Sequence, residues 1–171
     1  QVQKAVDCYN AGATVLHVHV REPDGSGSKD LDRFNEMLDR LRTAVPKMIL
    51  QVGGSISFAP KNDGEAALWL SDDTRHMLAN LSPAPDQVTL AINTNQMNVM
   101  ELITREDGEG TSMWERNYRE AYPEMYYEAG PAFMKEHMKR LTASGIQTHF
   151  MVTCARDLET IERLVRNGFY K

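Results

Sequence analysis

The stretch Ala13-Thr14-Val15-Leu16-His17-Val18-His19-Val20-Arg21 decides how the chain is read. From Ala13 to Val20 it is a largely apolar run with two histidines two residues apart, which predicts a strand. Successive side chains on a strand point to opposite faces, so His17 and His19 share one side while Leu16, Val18 and Val20 line the other. The apolar side reads as a face buried under helices. On the polar side the two Cα atoms stand about 6.5 Å apart by the rise of a strand. From that spacing two imidazole nitrogens can reach one divalent cation at about 2.0–2.1 Å. The other reading of the same residues is a hydrogen-bonded polar pair lining a pocket.

Outward from this strand, helix and strand alternate. Val2, Ala5, Val6 and Tyr9 recur at helical spacing ahead of Gly12, which suits a helix stop. After the histidines comes a polar loop, residues 22–29, with Pro23, Asp24, Gly25 and Gly27. The run Asp24 to Asp30 lacks the closing Glu of a calcium loop and reads as a turn plus a cap. Asp30 caps a helix whose apolar stripe is Leu31, Phe34, Leu38 and Leu41, and Pro46 breaks that pattern. Met48 to Val52 is a second strand running straight into Gly53-Gly54-Ser55. Residues 56–70 read as an irregular connection. Ser71 caps the next helix, with Asp72 and Asp73 in its first turn and Met77, Leu78 and Leu81 as its apolar side. Pro83 and Pro85 end it before a third strand, Gln87 to Ile92, which is followed by Asn93, Thr94 and Asn95. A helix opened by Pro131 and closed by Gly145 leads to a fourth strand, Ile146 to Val152. Asp157 is expected to open the last helix, through Leu158, Ile161, Leu164 and Val165 to Gly168. His76 and His137 fall within helices and are expected on the solvent side.

Strands separated by helices imply a parallel sheet with covered faces, hence an α/β fold. The glycine-rich and polar residues come just after strands, and ligands of parallel α/β folds bind at the carboxyl ends of strands. Four strands suit an open doubly wound sheet or half of an eight-stranded barrel, which takes about 250 residues. The 171 residues read as a single α/β domain over 1–171. Within it, 96–128 is an inserted lid or interface segment, or else a short helical excursion burying its own aromatics. Because Gln1 already sits in a helical pattern, a preceding piece is expected.

Charged residues make up 25% and hydrophobic ones 42%, with a formal net charge of −5. That balance gives no reason to expect nucleic acid or an anionic membrane as partner. No apolar run reaches the length of a transmembrane helix. Two cysteines without ligand spacing, Cys8 and Cys154, suit a reducing cytoplasm.

Candidate binding residues cluster after the strands. The Gly53-Gly54-Ser55 turn offers backbone N–H groups to a carboxylate or phosphate, though a plain tight turn also explains it. Ser55 lacks the context of a covalent nucleophile, and neither a phosphate loop nor a dinucleotide fingerprint is present. His149 shares a strand side with Gln147 and Met151, which makes it a candidate third metal ligand or a pocket histidine.

Ala11-Gly12-Ala13 leading into His17-Val18-His19-Val20-Arg21, then Asp30-Leu31 with Arg33-Phe34, and a strand ending in Gly53-Gly54, resembles the β-keto acid cleavage enzymes. The resemblance runs through nearly the whole chain. It implies a zinc-dependent (β/α)8 TIM barrel, of which this chain is a central portion of about four βα units, in a homo-oligomer. It also implies transfer of an acyl unit between a β-keto acid and acetyl-CoA, giving acetoacetate and a CoA thioester. By that likeness His17 and His19 are metal ligands. Gly53, Gly54, Ser55 and Thr94 are the candidates to hold substrate, with Asn93 competing with Thr94 for its role, and the family's ligating Glu and its catalytic Arg and Asp fall outside this chain. The family often has Ser-Thr-Gly-Gly where this chain has Val52-Gly53-Gly54-Ser55, so the substrate-binding serine is either shifted to Ser55 or replaced by glycine. Two rival readings are an amidohydrolase-like metal hydrolase, against which no lysine ends a strand, and a non-catalytic metal-binding α/β domain.

Overall fold

Along the chain the elements are α1 (Val2–Asn10), β1 (Val15–Val18), α2 (Leu31–Ala44), β2 (Ile49–Val52), β3 (Phe58–Pro60), β4 (Ala67–Trp69) and α3 (Asp72–His76), which runs into a 3-10 turn, Met77–Asn80. They continue as β5 (Gln87–Ala91), β6 (Asn95–Gln96), α4 (Arg105–Gly108), β7 (Tyr126–Tyr127), α5 (Pro131–Ala143), β8 (Gln147–Met151) and α6 (Ala155–Arg166). The structure, a computed structural model, describes residues 1–23, 25, 27–53, 58–60, 67–69, 71–93, 95–96, 104–110 and 126–170.

Four strands form one sheet in the order β1-β2-β5-β8, and every neighbouring pair is parallel. Spatial order therefore follows chain order, with no reversal. A doubly wound sheet reverses at a switch point. A sheet that always adds its next strand on the same side, with right-handed crossovers, keeps its helices on one face and curls toward a barrel.

The helix-covered face is apolar. Val18, Leu50, Val52 and Val88 pack with Phe34, Leu38 and Leu41 of α2, while Leu90 packs with Phe133, Met134 and Met138 of α5. Phe34 is fully buried, and truncating such a side chain to Ala costs about 3–5 kcal/mol. The opposite face carries Val15 and His17 on β1, Ile49 and Gln51 on β2, Gln87 and Thr89 on β5, and Gln147, His149 and Met151 on β8.

Local signals set the helix ends. Asp30 accepts from the Asp32 amide at 2.9 Å and Ser71 from the Thr74 amide at 3.4 Å, satisfying N–H groups that a helix start leaves over. The loop before α2 is stapled from within. Buried Ser28 donates to Glu22 Oε1 at 2.6 Å and accepts from the Asp30 amide at 3.0 Å, while Arg33 pairs with Glu22 at 3.1 Å.

Three expectations need correction. Within 56–70, Phe58–Pro60 and Ala67–Trp69 form an antiparallel pair rather than an irregular connection. Helix α6 begins at Ala155 with Cys154 as its cap, so Asp157 sits in the first turn. There its carboxylate is fully buried and accepts from the Thr153 amide and hydroxyl, both at 2.8 Å, and from the Cys154 amide at 3.2 Å. Those bonds, the Thr153 amide first, hold it well below the usual carboxylate range.

The third correction concerns His76 and His137, which are 5% and 2% exposed rather than solvent-facing. Their Nδ1 atoms lie 3.0 Å apart, so one ring donates to the other and neither leaves a buried polar group unmatched there. Both rings stack on Phe133, with centroids 4.9 and 5.1 Å away. The Arg75 guanidinium lies 3.4 Å from the centroid of that same ring and pairs with Asp72 at 3.1 Å. Burial, then the charges of His76, Arg75 and Arg140, pushes His137 down to about 3. Burial chiefly lowers His76 as well. The pair is neutral at ordinary pH.

Asn95–Gln96 and Tyr126–Tyr127 pair antiparallel, which brings together the two ends of the 96–128 segment. Most of that segment lies outside the described residues. Among the described residues no helix is long and apolar enough to cross a membrane. Cys8 and Cys154 are free and exposed.

Candidate metal centre

β1 delivers His17, and His19 follows one residue after the strand ends. Their ring centroids are 4.9 Å apart at 56°, and the two Nε2 atoms face each other at 2.9 Å. A cation bonded to both at about 2.05 Å would subtend about 90° at that separation, and opening it by about 0.4 Å gives the tetrahedral angle. Partial burial, then the charges of His17 and Arg21, lowers the pKa of His19. The ring is therefore neutral near neutrality, the form in which imidazole binds a metal.

Gly53 explains why the space in front of these nitrogens is open. A Cβ built there would lie 2.7 Å from His17 Nε2 and closer still to His19 Nε2. The volume a side chain would fill is thus the space in front of both nitrogens, no more than 2.7 Å from either. The donor set and the cradle both fit a divalent cation. Among the described residues no third His, Cys, Asp or Glu joins them.

The other predicted site residues divide. Gly53 borders the pair, but its own N–H donates to the Val18 carbonyl at 2.9 Å, so it is taken up by the sheet rather than offered to a substrate. Gly54, Ser55 and Thr94 lie outside the described residues. Asn93 follows β5 with φ 66°, a left-handed conformation that asparagine tolerates better than most residues. Its side chain donates to Asp157 Oδ1 at 2.6 Å and accepts from Thr160 at 3.4 Å, tying the end of β5 to α6. His149 is exposed on β8 opposite Thr89 of β5. It shares the histidine face but stands three strand spacings from β1, about 14 Å along the sheet.

Three residues that the sequence did not single out form a row that ends on the pair, with Gln51 touching it directly. His17 Nδ1 lies 2.7 Å from Gln51 Oε1, Gln51 Nε2 donates to Gln87 Oε1 at 2.8 Å, and Gln87 Nε2 donates to Gln147 Oε1 at 3.1 Å. A glutamine recurring on three strands is the only trace of this in the sequence.

A parallel, singly wound sheet with a histidine pair at the carboxyl end of one strand defines a portion of a (β/α)8 barrel with its ligand face at the strand ends. Comparison with known proteins agrees. The beta-keto acid cleavage enzyme model matches residues 1–171, and the chain belongs to that family. It is 38% identical over 56 residues to the 3-keto-5-aminohexanoate cleavage enzyme of Fusobacterium nucleatum, covering 32% of this chain and 21% of the relative. It is 40% identical over 52 residues to the 3-oxoadipate:acetyl-CoA acetyltransferase of Cupriavidus necator, covering 30% and 18%. A solved ternary complex of ObcA with C4-CoA adduct and oxalate superposes with a TM-score of 0.65 at 14% identity, covering 98% of this chain and 33% of that one. The chain thus matches about a fifth of the length of those curated relatives and a third of the solved chain.

Proposed function

We propose that this chain carries the metal-binding part of a zinc-dependent enzyme that transfers an acyl unit between a β-keto acid and acetyl-CoA, releasing acetoacetate and a new CoA thioester. The observation that carries the reading is the convergence of His17 Nε2 and His19 Nε2, 2.9 Å apart, over the side-chain-free position of Gly53. The 3-oxoadipate:acetyl-CoA acetyltransferase among the relatives supports the choice of co-substrate.

Breaking a carbon–carbon bond beside a ketone develops negative charge on oxygen, and the site must stabilise it. A bound divalent cation supplies that as a Lewis acid on the keto oxygen. His17 and His19 hold it, Gln51 fixes the ring of His17 from behind, and Gly53 keeps the approach clear. Gly54, Ser55 and Thr94 follow β2 and β5 in sequence, and we assign them to the substrate carboxylate. The third ligand and the general base we assign to residues other than those described beside the pair. The enzyme acts in the cytoplasm, as its two free thiols suggest, and as a homo-oligomer.

The test is to incubate the protein with acetyl-CoA and a panel of β-keto acids, with and without zinc, and to measure acetoacetate. Zinc-dependent acetoacetate from at least one keto acid is expected. Turnover of amides or esters in its place, or no product with zinc firmly bound, overturns the reading.

A further inference from the structure

One residue from each of the four parallel strands stands at the same height on the same face. His17 is in register with Gln51, Gln51 with Gln87, and Gln87 with Gln147. Their side chains join in that order through contacts of 2.7, 2.8 and 3.1 Å. An amide accepts at its oxygen and donates only at its nitrogen. Hydrogen bonds in such a row therefore all run one way, and the direction of one amide sets the next.

We propose that Gln51, Gln87 and Gln147 are positioning residues, a one-way row of amides that holds His17 as the Nδ1–H tautomer with its Nε2 lone pair turned toward His19. Gln51 presents Oε1 to the ring because its Nε2 is engaged by Gln87 Oε1. The ring must then donate from Nδ1, and a neutral imidazole protonated there is bare at Nε2. Gln51 is 7% exposed, so water does not stand in for a lost partner. Turning its amide alone would set oxygen against oxygen at Gln87 and nitrogen against nitrogen at His17, which mismatches the row at both ends. Reversal of the whole row is the competing arrangement. It would put the His17 proton on Nε2, facing His19, where no cation could be held.

The row has a second consequence. With His17 Nε2 bare, the 2.9 Å contact requires His19 to donate from its own Nε2 in the metal-free protein. To ligate through Nε2, His19 would have to move its proton to Nδ1, a change of tautomer, whereas His17 would keep its Nδ1 proton in place. The inference rests on the metal reading above for its purpose, but the tautomer can be read without metal.

Long-range 1H–15N correlation spectra of the labelled, metal-free protein distinguish a protonated ring nitrogen from a bare one. Expected are Nδ1–H for His17 and Nε2–H for His19, with only His19 changing tautomer, to Nδ1–H, on addition of zinc. Gln51→Leu should mix the His17 tautomers and weaken zinc binding, measured by competition with a chelating dye, by about 10–100-fold. Gln51→Glu keeps an acceptor against Nδ1 and, once the Gln87 amide turns to donate to it, should restore both to near wild type. Gln87→Leu should act in the same direction as Gln51→Leu but less strongly, and it serves if Gln51→Leu does not fold. A protonated His17 Nε2 in the wild type overturns the proposal, as does a Gln51→Leu protein with unchanged spectrum and affinity. A wild type with the expected tautomers but no uptake of zinc upholds the row and overturns the metal reading instead.

Discussion

Gly53→Ala isolates the cradle from everything else in the site. Nothing in the backbone forbids the change, since Gly53 does not adopt a positive φ, and its N–H bond to Val18 survives it. The added Cβ would stand 2.7 Å from His17 Nε2 and nearer to His19 Nε2, against an ordinary contact of about 3.5–4.0 Å. Each ring must retreat by about 1 Å, and the methyl takes the volume where the nitrogens converge. Overpacking of this kind costs about 1–3 kcal/mol, a fall in Tm of about 2–12 °C for a chain this size. Zinc affinity should fall further, by at least about 100-fold. That is the top of the range for disturbing an outer partner, and here the ligating atoms themselves are displaced. Calorimetric titration of zinc into wild type and variant, with thermal denaturation of each metal-free protein, separates the two effects. A Gly53→Ala protein that binds zinc as tightly as wild type would refute the reasoning.

His17→Ala and His19→Ala should each abolish most bound zinc by elemental analysis while circular dichroism stays native, because the helix-covered face of β1 is untouched. Equal zinc in all three proteins excludes the pair as ligands. Stability should rise with pH between about 3 and 6.5. His137 is depressed to about 3 in the fold, so over that interval the unfolded chain binds the extra proton, and each unit of acidification removes about 1.4 kcal/mol. His76 is lowered too and adds to the slope. The charged groups around the pair, Arg75, Arg140, Asp72 and Glu136, are the ones acting on His76. Urea titrations at several pH values should show the slope, and a His137→Gln protein with an equally steep dependence would exclude the pair as its source. At Asn93 the order of damage tests its role. Asn93→Gly loses the bond to Asp157, worth about 1.5–3 kcal/mol for a charged partner. Asn93→Ala adds the left-handed strain, about 1–2 kcal/mol. If both variants melt like wild type and only substrate affinity drops, Asn93 is a substrate residue and not a latch.

What the sequence made legible was local. The stripe Leu31, Phe34, Leu38 and Leu41, the caps at Asp30 and Ser71, and the alternation around His17 all declare themselves within one turn or one strand. The strands were read one or two residues too long at an end, and at both ends in Ala13 to Val20 against Val15–Val18, because apolar flanks continue past the last ladder bond. The partner of His17 was not legible. Gln51, Gln87 and Gln147 meet only through strand register, which no window of neighbouring residues contains. His76 and His137 were misread because helical periodicity does not say which side of a short helix meets another, and each is sheltered by the other across 61 positions.

The order β1-β2-β5-β8 also bears on how the chain is made. Each parallel strand docks on the one synthesised before it, so the ribosome delivers every new edge next to a partner already in place. β1 and β2 can close around α2 within a stretch of fewer than forty residues, Val15 to Val52, and no strand of the sheet lies between them. A growing nascent sheet of this kind postpones long-distance searches until late in translation.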